Sequence, residues 1–224
     1  MRTIFWDVDT QVDFMMPDGK LYVPGAERLL SNLAALTEYA RREGVRIVAS
    51  ADAHELHHRE LTPPPDFRST FPPHCLRGTP GAEKVPATAP RNPLVIESRP
   101  YPPDELAESV RRHTGEIVLL KEEFDVFTNP NVGVVLDTLA PEAVVVYGVA
   151  LDVCDRYAVE GLLARGGLAI AVVEDAVAPI RADEGARLLE AWRERGVRIV
   201  STADVLAGRA FAGYAERQRA ARPA

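Results

Sequence analysis

The sequence contains little cysteine: Cys75 and Cys154 are the only two among 224 residues. Two cysteines in a chain of this length do not form the disulfide framework of a secreted protein, so we expect a reducing, cytoplasmic environment. The first residues, MRTIFWDVD, lead directly into strand-like sequence with an aspartate, which is not typical of a signal peptide.

The sequence also lacks an excess of positive charge and any long apolar run. Lysine and arginine together number 26 against 33 acidic residues, which gives a net charge of −7, and no basic cluster stands out. These features disfavour nucleic acid and anionic membrane surfaces as partners. Apolar runs such as residues 143–150 are far shorter than the roughly 20 residues that span a bilayer. We therefore expect a small-molecule partner, and the composition leaves open whether the protein forms a homo-oligomer.

Hydrophobic residues are plentiful, at 46%, and short apolar runs alternate with helical patterns. The alternation predicts a single α/β domain over residues 1–208, with a doubly wound, mostly parallel sheet and helices on both faces. A helical tail is predicted over 209–224. The predicted strands are 3–8, 45–51, 94–97, 117–120, 143–149, 168–173 and 197–200. The predicted helices are 26–43, 103–113, 131–139, 152–165 and 183–195.

One long region interrupts this alternation. Residues 54–92 are rich in proline and show neither a helical nor a strand period, which is unusual for a loop inside a compact domain. The region carries four of the five histidines, namely His54, His57, His58 and His74. A loop of this length and composition indicates a functional role.

Reactive side chains follow several of the predicted strands, where α/β sheets bind their ligands. The first strand leads to Asp7 and Asp9, the fourth to Lys121, and the fifth to Cys154. We expect Asp152 to cap the next helix, so that Cys154 lies in its first turn and gains thiolate character there and from Lys121. An aspartate would then move the proton. The alternative interpretation is a buried structural cysteine beside an ordinary ion pair.

A second set of side chains has the chemistry of metal ligands. Asp52 and His54 are two residues apart, which places them on the same side of an extended segment, and His74 could join them from the long loop. Such a set suits Zn²⁺, Fe²⁺ or Mn²⁺ with positions left open for water. The alternative is a solvated or structural pair.

Five motifs occur together and in a recognisable order. They are DTQVDF at 9–14, DAH at 52–54, FPPHCLRGTPGAE at 71–83, KEEFDVF at 121–127 and GVALDVC at 148–154. On these motifs the chain resembles the isochorismatase-like cysteine hydrolases. The resemblance implies hydrolysis of a carboxamide to an acid and ammonia through a cysteine thioester, with nicotinamide as the substrate that the motifs match best.

The resemblance also implies roles for individual residues. It selects Asp9, rather than Asp7 or Asp13, to act with Lys121 and Cys154 in catalysis. It implies a cis peptide between Val149 and Ala150 and an oxyanion hole formed by the backbone N–H groups of Ala150 and Cys154.

For the metal, the resemblance implies the ligands Asp52, His54 and His74, which would hold a pyridine nitrogen. Whether His57 or His58 is a further ligand stays open at this point. Three residues are expected to bind the substrate: Phe14, Phe71 and Val149.

Two other functions are consistent with parts of the sequence. A related hydrolase could cleave an N-carbamoyl or other non-aromatic amide without a metal, using the same Asp9, Lys121 and Cys154. A non-catalytic α/β binding module is the second alternative, although the first strand is not followed by a glycine-rich phosphate turn.

Overall fold

The structure is a computed structural model that describes residues 1–213. The predicted helical tail over 209–224 lies outside the described residues, except for 209–213, of which 210–213 form turns. Within residues 1–213, every helix falls short of the length and apolar character that crossing a membrane requires.

Seven parallel strands form one sheet, as the sequence predicts. Their order is β3-β4-β2-β1-β5-β6-β7, so β1 lies in the middle of the sheet. The strands are β1 (Thr3–Val8), β2 (Arg46–Asp52), β3 (Leu94–Ile96), β4 (Ile117–Lys121), β5 (Ala143–Val149), β6 (Ala169–Ala178) and β7 (Arg198–Val200). Most of their side chains are buried, which explains why the sequence shows apolar runs rather than a polar alternation.

Helices cover both faces of the sheet. They are α1 (Val12–Met15), α2 (Leu30–Glu43), α3 (Pro103–Arg112), α4 (Val132–Leu139), α5 (Cys154–Arg165), α6 (Ala182–Glu194) and α7 (Thr202–Leu206). Because successive strand residues point to opposite sides, Trp6 joins a core that includes residues of α3, α4, α5 and α6, whereas Phe5 joins a core that includes α2 and α7. The single-domain, doubly wound architecture is therefore confirmed.

Two local predictions are wrong. The first turn of the predicted helix 26–43 is a 3-10 turn over Ala26–Leu29, and α2 begins only at Leu30. Asp152 does not cap α5, whose N-terminal cap is Val153. The carboxylate of Asp152 instead accepts hydrogen bonds from the backbone N–H groups of Ile180 (2.7 Å) and Arg181 (3.0 Å). This carboxylate therefore ties the start of α5 to the segment after β6.

The strand order brings the carboxyl ends of β4, β2, β1 and β5 side by side. Strands β2, β3 and β4 lie on one side of β1, and strands β5, β6 and β7 lie on the other, so the strand order reverses beside β1. Open α/β sheets form their ligand crevice at such a point. Gly148 of β5 pairs with Val8 of β1, and a Cβ atom at Gly148 would lie 2.0 Å from the carbonyl oxygen of Val8. Only glycine permits this close approach of the two strands.

The proline-rich segment between β2 and β3 contains only two short 3-10 turns, Arg59–Leu61 and Pro80–Ala82. It folds back over the strand ends through single backbone bridges, between Gln11 and Lys84 and between His54 and Leu76. Two of its histidines therefore lie beside the carboxyl end of β2.

Candidate active site

The residues that follow the central strands converge on one ammonium group. Asp9 directly follows β1, Lys121 ends β4, and Cys154 begins α5. The Lys121 Nζ atom lies 2.9 Å from Asp9 Oδ2 and 3.6 Å from Cys154 Sγ. We refer to Asp9, Lys121 and Cys154 as the strand-end group.

Lys121 is fully buried and also donates a hydrogen bond to Asp52 Oδ1. Burial disfavours its charged form, but the negative charges of Asp52 and Asp9 outweigh burial and raise the pKa of Lys121 well above its usual value. Burial likewise favours a neutral Asp52, yet the charge of Lys121 and the contacts of His54 and His74 hold the pKa of Asp52 well below its usual value. The lysine is therefore an ammonium and Asp52 a carboxylate.

The thiol of Cys154 differs from the sequence-based expectation. Burial raises the pKa of Cys154 well above its usual value, and the negative charges of Asp9, Asp52 and Glu60 raise it further. Lys121 acts in the opposite direction but does not compensate for these effects. This direction is opposite to the thiolate character expected from the sequence, and it favours a thiol that must lose its proton during the reaction.

Two aspartates, Asp7 and Asp9, lie at the carboxyl end of β1, and their surroundings differ. Asp9 lies in the site, where its second carboxylate oxygen accepts a hydrogen bond of 2.7 Å from Ser50 Oγ. Asp7 forms an ion pair of 2.9 Å with Lys84 and accepts a hydrogen bond from Thr10. Asp7 is therefore engaged away from Cys154.

A tight turn joins β5 to α5. The peptide bond between Val149 and Ala150 is cis, as the resemblance implies. The carbonyl of Ala150 accepts hydrogen bonds from the backbone N–H groups of Val153 (2.9 Å) and Asp155 (3.1 Å), while Leu151 N–H donates to Ala178. This turn brings both Ala150 and Cys154 to the wall of the same pocket.

A second cluster, Asp52, His54, Glu60 and His74, lies next to the first and is fully buried. Potential ligand atoms of the four residues all lie within 4.8 Å of one another, and His74 Nε2 is 3.5 Å from Asp52 Oδ2 and 3.6 Å from Glu60 Oε1. The Nε2 atoms of both histidines are buried without a hydrogen-bond partner among the described residues. Buried lone pairs of imidazole and carboxylate that face one another fit a divalent cation. We refer to these four residues as the metal group.

Glu60 is the member of the metal group that sequence reasoning missed. Burial raises the pKa of Glu60 to about 9, and the charge of Asp52 adds to the effect. Two buried carboxylates at one point require a nearby positive charge. This loop has no helical or strand periodicity, so nothing in the sequence distinguishes Glu60 from its neighbours.

The two histidines that the sequence left open as further ligands lie elsewhere. His57 is 75% exposed at its side chain, and His58 lies on the outer side of His54.

Between the two groups lies a narrow cavity with largely apolar walls. Its lining residues are Phe14, Leu21, Val23, Asp52, Glu60, Phe71, His74, Phe124, Ala150, Val153, Cys154 and Ile180. Of the three residues expected to bind the substrate, Phe14 and Phe71 line the cavity, whereas Val149 packs in the apolar core. Phe124 was not expected, although it belongs to the KEEFDVF motif, and its ring packs edge-to-face on Phe71 with centroids 5.6 Å apart.

The family model for the isochorismatase domain matches residues 4–102 and 98–204. A nicotinamidase/pyrazinamidase of Mycobacterium tuberculosis is 31% identical over 197 residues, which cover 86% of this chain and 95% of that protein.

Solved structures give a similar result. A zinc complex of the pyrazinamidase of Pyrococcus horikoshii is 25% identical, with a TM-score of 0.67 over 90% of this chain and 99% of that one. An N-carbamoylsarcosine amidase from Thermoplasma acidophilum, 23% identical, shares the fold with a TM-score of 0.68 over 90% and 97% of the two chains.

Proposed function

The chain belongs to the isochorismatase family and is an amidohydrolase, and on that premise we propose that its substrate is nicotinamide, which it hydrolyses to nicotinate and ammonia. The reaction would contribute to NAD salvage in the cytoplasm. The 31% identity to a nicotinamidase/pyrazinamidase supports the proposal. The strongest support is the chemistry of the cavity itself.

The cavity combines aromatic walls with two different polar surfaces. Phe14, Phe71 and Phe124 supply the aromatic side chains. The sulfur of Cys154 and the metal group supply the polar surfaces, and Lys121 connects them through its contacts with Cys154 and Asp52. A flat ring that carries a carboxamide and a nitrogen lone pair matches this combination. Among the described residues, neither arginine nor lysine lines the cavity.

In the proposed mechanism, Asp9 accepts the proton of the Cys154 thiol as the sulfur attacks the amide carbon and forms the S–C bond. The backbone N–H groups of Ala150 and Cys154 stabilise the resulting oxyanion, a contribution of about 3–4 kcal/mol for each donor. Asp9 then returns the proton to the amide nitrogen, the C–N bond breaks, and ammonia leaves. Lys121 holds Asp9 in position through its 2.9 Å ion pair.

Hydrolysis of the thioester completes the reaction. Asp9 accepts a proton from water as the water oxygen attacks the thioester carbon, and the proton then returns to the departing sulfur of Cys154. Asp52, His54, Glu60 and His74 would hold the metal, with zinc as the ion found in the Pyrococcus horikoshii pyrazinamidase. When bound, a divalent ion supplies a Lewis acid for the ring nitrogen. The cavity walls orient the ring and exclude bulk water.

Ammonia release from three amides, measured on metal-loaded protein, tests the proposal. Nicotinamide should be hydrolysed with a kcat/KM at least about tenfold above that of benzamide, which has the same shape but no ring nitrogen to position. N-carbamoylsarcosine should be a much poorer substrate than nicotinamide, because it has no flat ring to pack against the aromatic walls of the cavity. If N-carbamoylsarcosine were the best substrate and a chelator had no effect, the proposed substrate would be wrong and the metal-free alternative correct.

A further inference from the structure

We infer that His58 is a positioning residue for the metal group, because it accepts a hydrogen bond from Nδ1 of His54. This contact fixes the tautomer of His54 that offers its Nε2 lone pair to the metal. The inference rests on the proposed role of His54 as a ligand. It does not depend on the identity of the amide substrate.

His58 lies directly behind His54, on the side away from the metal group. The two Nδ1 atoms are 3.4 Å apart, and the rings meet edge-to-face with centroids 5.6 Å apart. The His58 side chain is only 12% exposed, and His54 is fully buried. The contact is therefore largely shielded from water, where a hydrogen bond orients its partners more strongly than on an exposed surface.

The backbone determines which nitrogen of His58 accepts. The N–H group of Glu55 donates to His58 Nδ1 over 3.2 Å, so this atom presents a lone pair. The hydrogen of the neutral ring is then on Nε2, which faces Glu122 Oε2 at 3.7 Å. Since His58 Nδ1 is an acceptor, the Nδ1 atom of His54 that faces it is the donor, and the two N–H groups share the single lone pair of His58 Nδ1.

A protonated Nδ1 leaves Nε2 of His54 with its lone pair. That atom points into the metal group, 3.6 Å from Asp52 Oδ2 and 3.8 Å from Glu60 Oε1. Histidine ligands of metals commonly donate their other ring N–H to an outer partner, which fixes the ring and increases its basicity. His58 and Glu122 supply this outer shell for His54.

His74 reaches the same tautomer through a different partner. Its Nδ1 atom lies 2.8 Å from the carbonyl oxygen of Pro72, which can only accept a hydrogen bond. Mutation cannot remove that carbonyl, whereas it can remove the ring of His58. The two histidines therefore provide an internal comparison, in which only the His54 side can be altered by changing an outer side chain.

Zinc titration of the metal-free protein, with a chromophoric chelator as competitor, tests the inference. His58→Asn keeps an acceptor oxygen near the position of Nδ1, whereas His58→Gln carries its amide one bond farther from the backbone, near the position of Nε2. We expect His58→Gln and His58→Ala to weaken zinc binding by about 10- to 100-fold, and His58→Asn to restore it to within about threefold of wild type. His57→Ala, at an exposed position, should bind zinc like wild type.

Long-range ¹⁵N–¹H spectra of the metal-free protein supply a readout that a merely structural role would not change. His54 should be the Nδ1–H tautomer in wild type and in His58→Asn, and a tautomer mixture in His58→Gln. Wild-type zinc affinity in His58→Gln, or equal losses in the Asn and Gln variants, would overturn the inference. Wild-type affinity in His54→Ala would instead contradict the proposed ligand set, so the two failures can be distinguished.

Discussion

The strand-end group and the metal group lie side by side but are built differently. Each member of the strand-end group sits where a regular element begins or ends, so strand order and register determine its position. In the metal group only Asp52 belongs to a strand, and the other three members come from the segment between β2 and β3. The site therefore has two halves. The chemical half is the strand-end group, which the sheet itself holds in place, and the binding half is the metal group, whose loop needs additional contacts to hold it in place.

Side chains of the first motif, DTQVDF, form the hydrogen bonds that hold this loop in place. The side-chain amide of Gln11 accepts from the backbone N–H of Asp52 over 2.7 Å and donates to the carbonyls of Asp52 and Ala82, each over 2.8 Å. The Asp13 carboxylate accepts from the N–H of Cys75, the residue after His74, over 2.7 Å. One motif therefore serves both halves, with Asp9 in the chemistry and its neighbours holding the loop.

Substitution of the proposed nucleophile, Cys154, should have the largest effect, and this effect should be confined to the chemical half. Cys154→Ala should lower kcat/KM by about 10⁴-fold or more, because the proposed covalent step is lost, while zinc affinity stays unchanged. Asp9→Asn should cost about 10²- to 10⁴-fold in kcat, and the double variant should be no worse than Cys154→Ala alone. Steady-state ammonia release and zinc titration measure both quantities. Additive losses would show that the two residues do not act as a unit.

Lys121→Met should damage both halves, since this ammonium contacts Asp9 and Asp52 alike. We expect about a 10²- to 10³-fold loss of kcat and a decrease of about 3–5 kcal/mol in the free energy of unfolding, because two buried carboxylates lose their counter-charge. Lys84→Met is the matched control, since Lys84 forms a buried ion pair with Asp7 outside the site. It should be destabilised in urea to a similar extent but keep most of its activity. Equal activity losses in the two variants would contradict the assignment.

His54→Ala should impair only the binding half. Because outer partners of a metal ligand contribute about 10- to 100-fold, loss of the ligand itself should weaken zinc binding by more than about 100-fold. Nicotinamide turnover should fall with it, while alkylation of Cys154 proceeds as in the metal-free wild type. Bound zinc measured after dialysis, together with peptide mapping of the alkylated thiol, checks both expectations. An unchanged zinc content would remove His54 from the metal group.

The smallest effect concerns the charge state of the thiol. Since burial and three carboxylates raise the pKa of Cys154, the thiol form dominates below that pKa, and alkylation by iodoacetamide should keep accelerating above pH 9 in the metal-free protein. Asp9→Asn removes one negative charge, which lowers the pKa of Cys154 and should speed alkylation several-fold at pH 8. A rate that levels off below pH 8 in wild type would show an ionised sulfur and contradict the structure.

The same contrast explains what the sequence could predict. The limits of β5 agree with the apolar run at 143–149, and residues at strand ends follow from such limits once the sheet is parallel. Glu60 was missed because its loop has no period, so nothing local marks a buried carboxylate there. The raised pKa of Cys154 also could not be predicted, because it depends on charges contributed by β1, β2 and the loop, all distant along the chain.

Gly148 has a consequence for how far this sequence can change. A side chain at this position would meet the Val8 carbonyl at 2.0 Å and force β1 away from β5. Asp9 follows β1 and Cys154 follows β5. The close approach that Gly148 permits therefore sets the distance between the proposed proton acceptor and the sulfur. In a library of random variants, substitutions at Gly148 should therefore be depleted as strongly as substitutions at Cys154 itself, although Gly148 has no functional group to contribute.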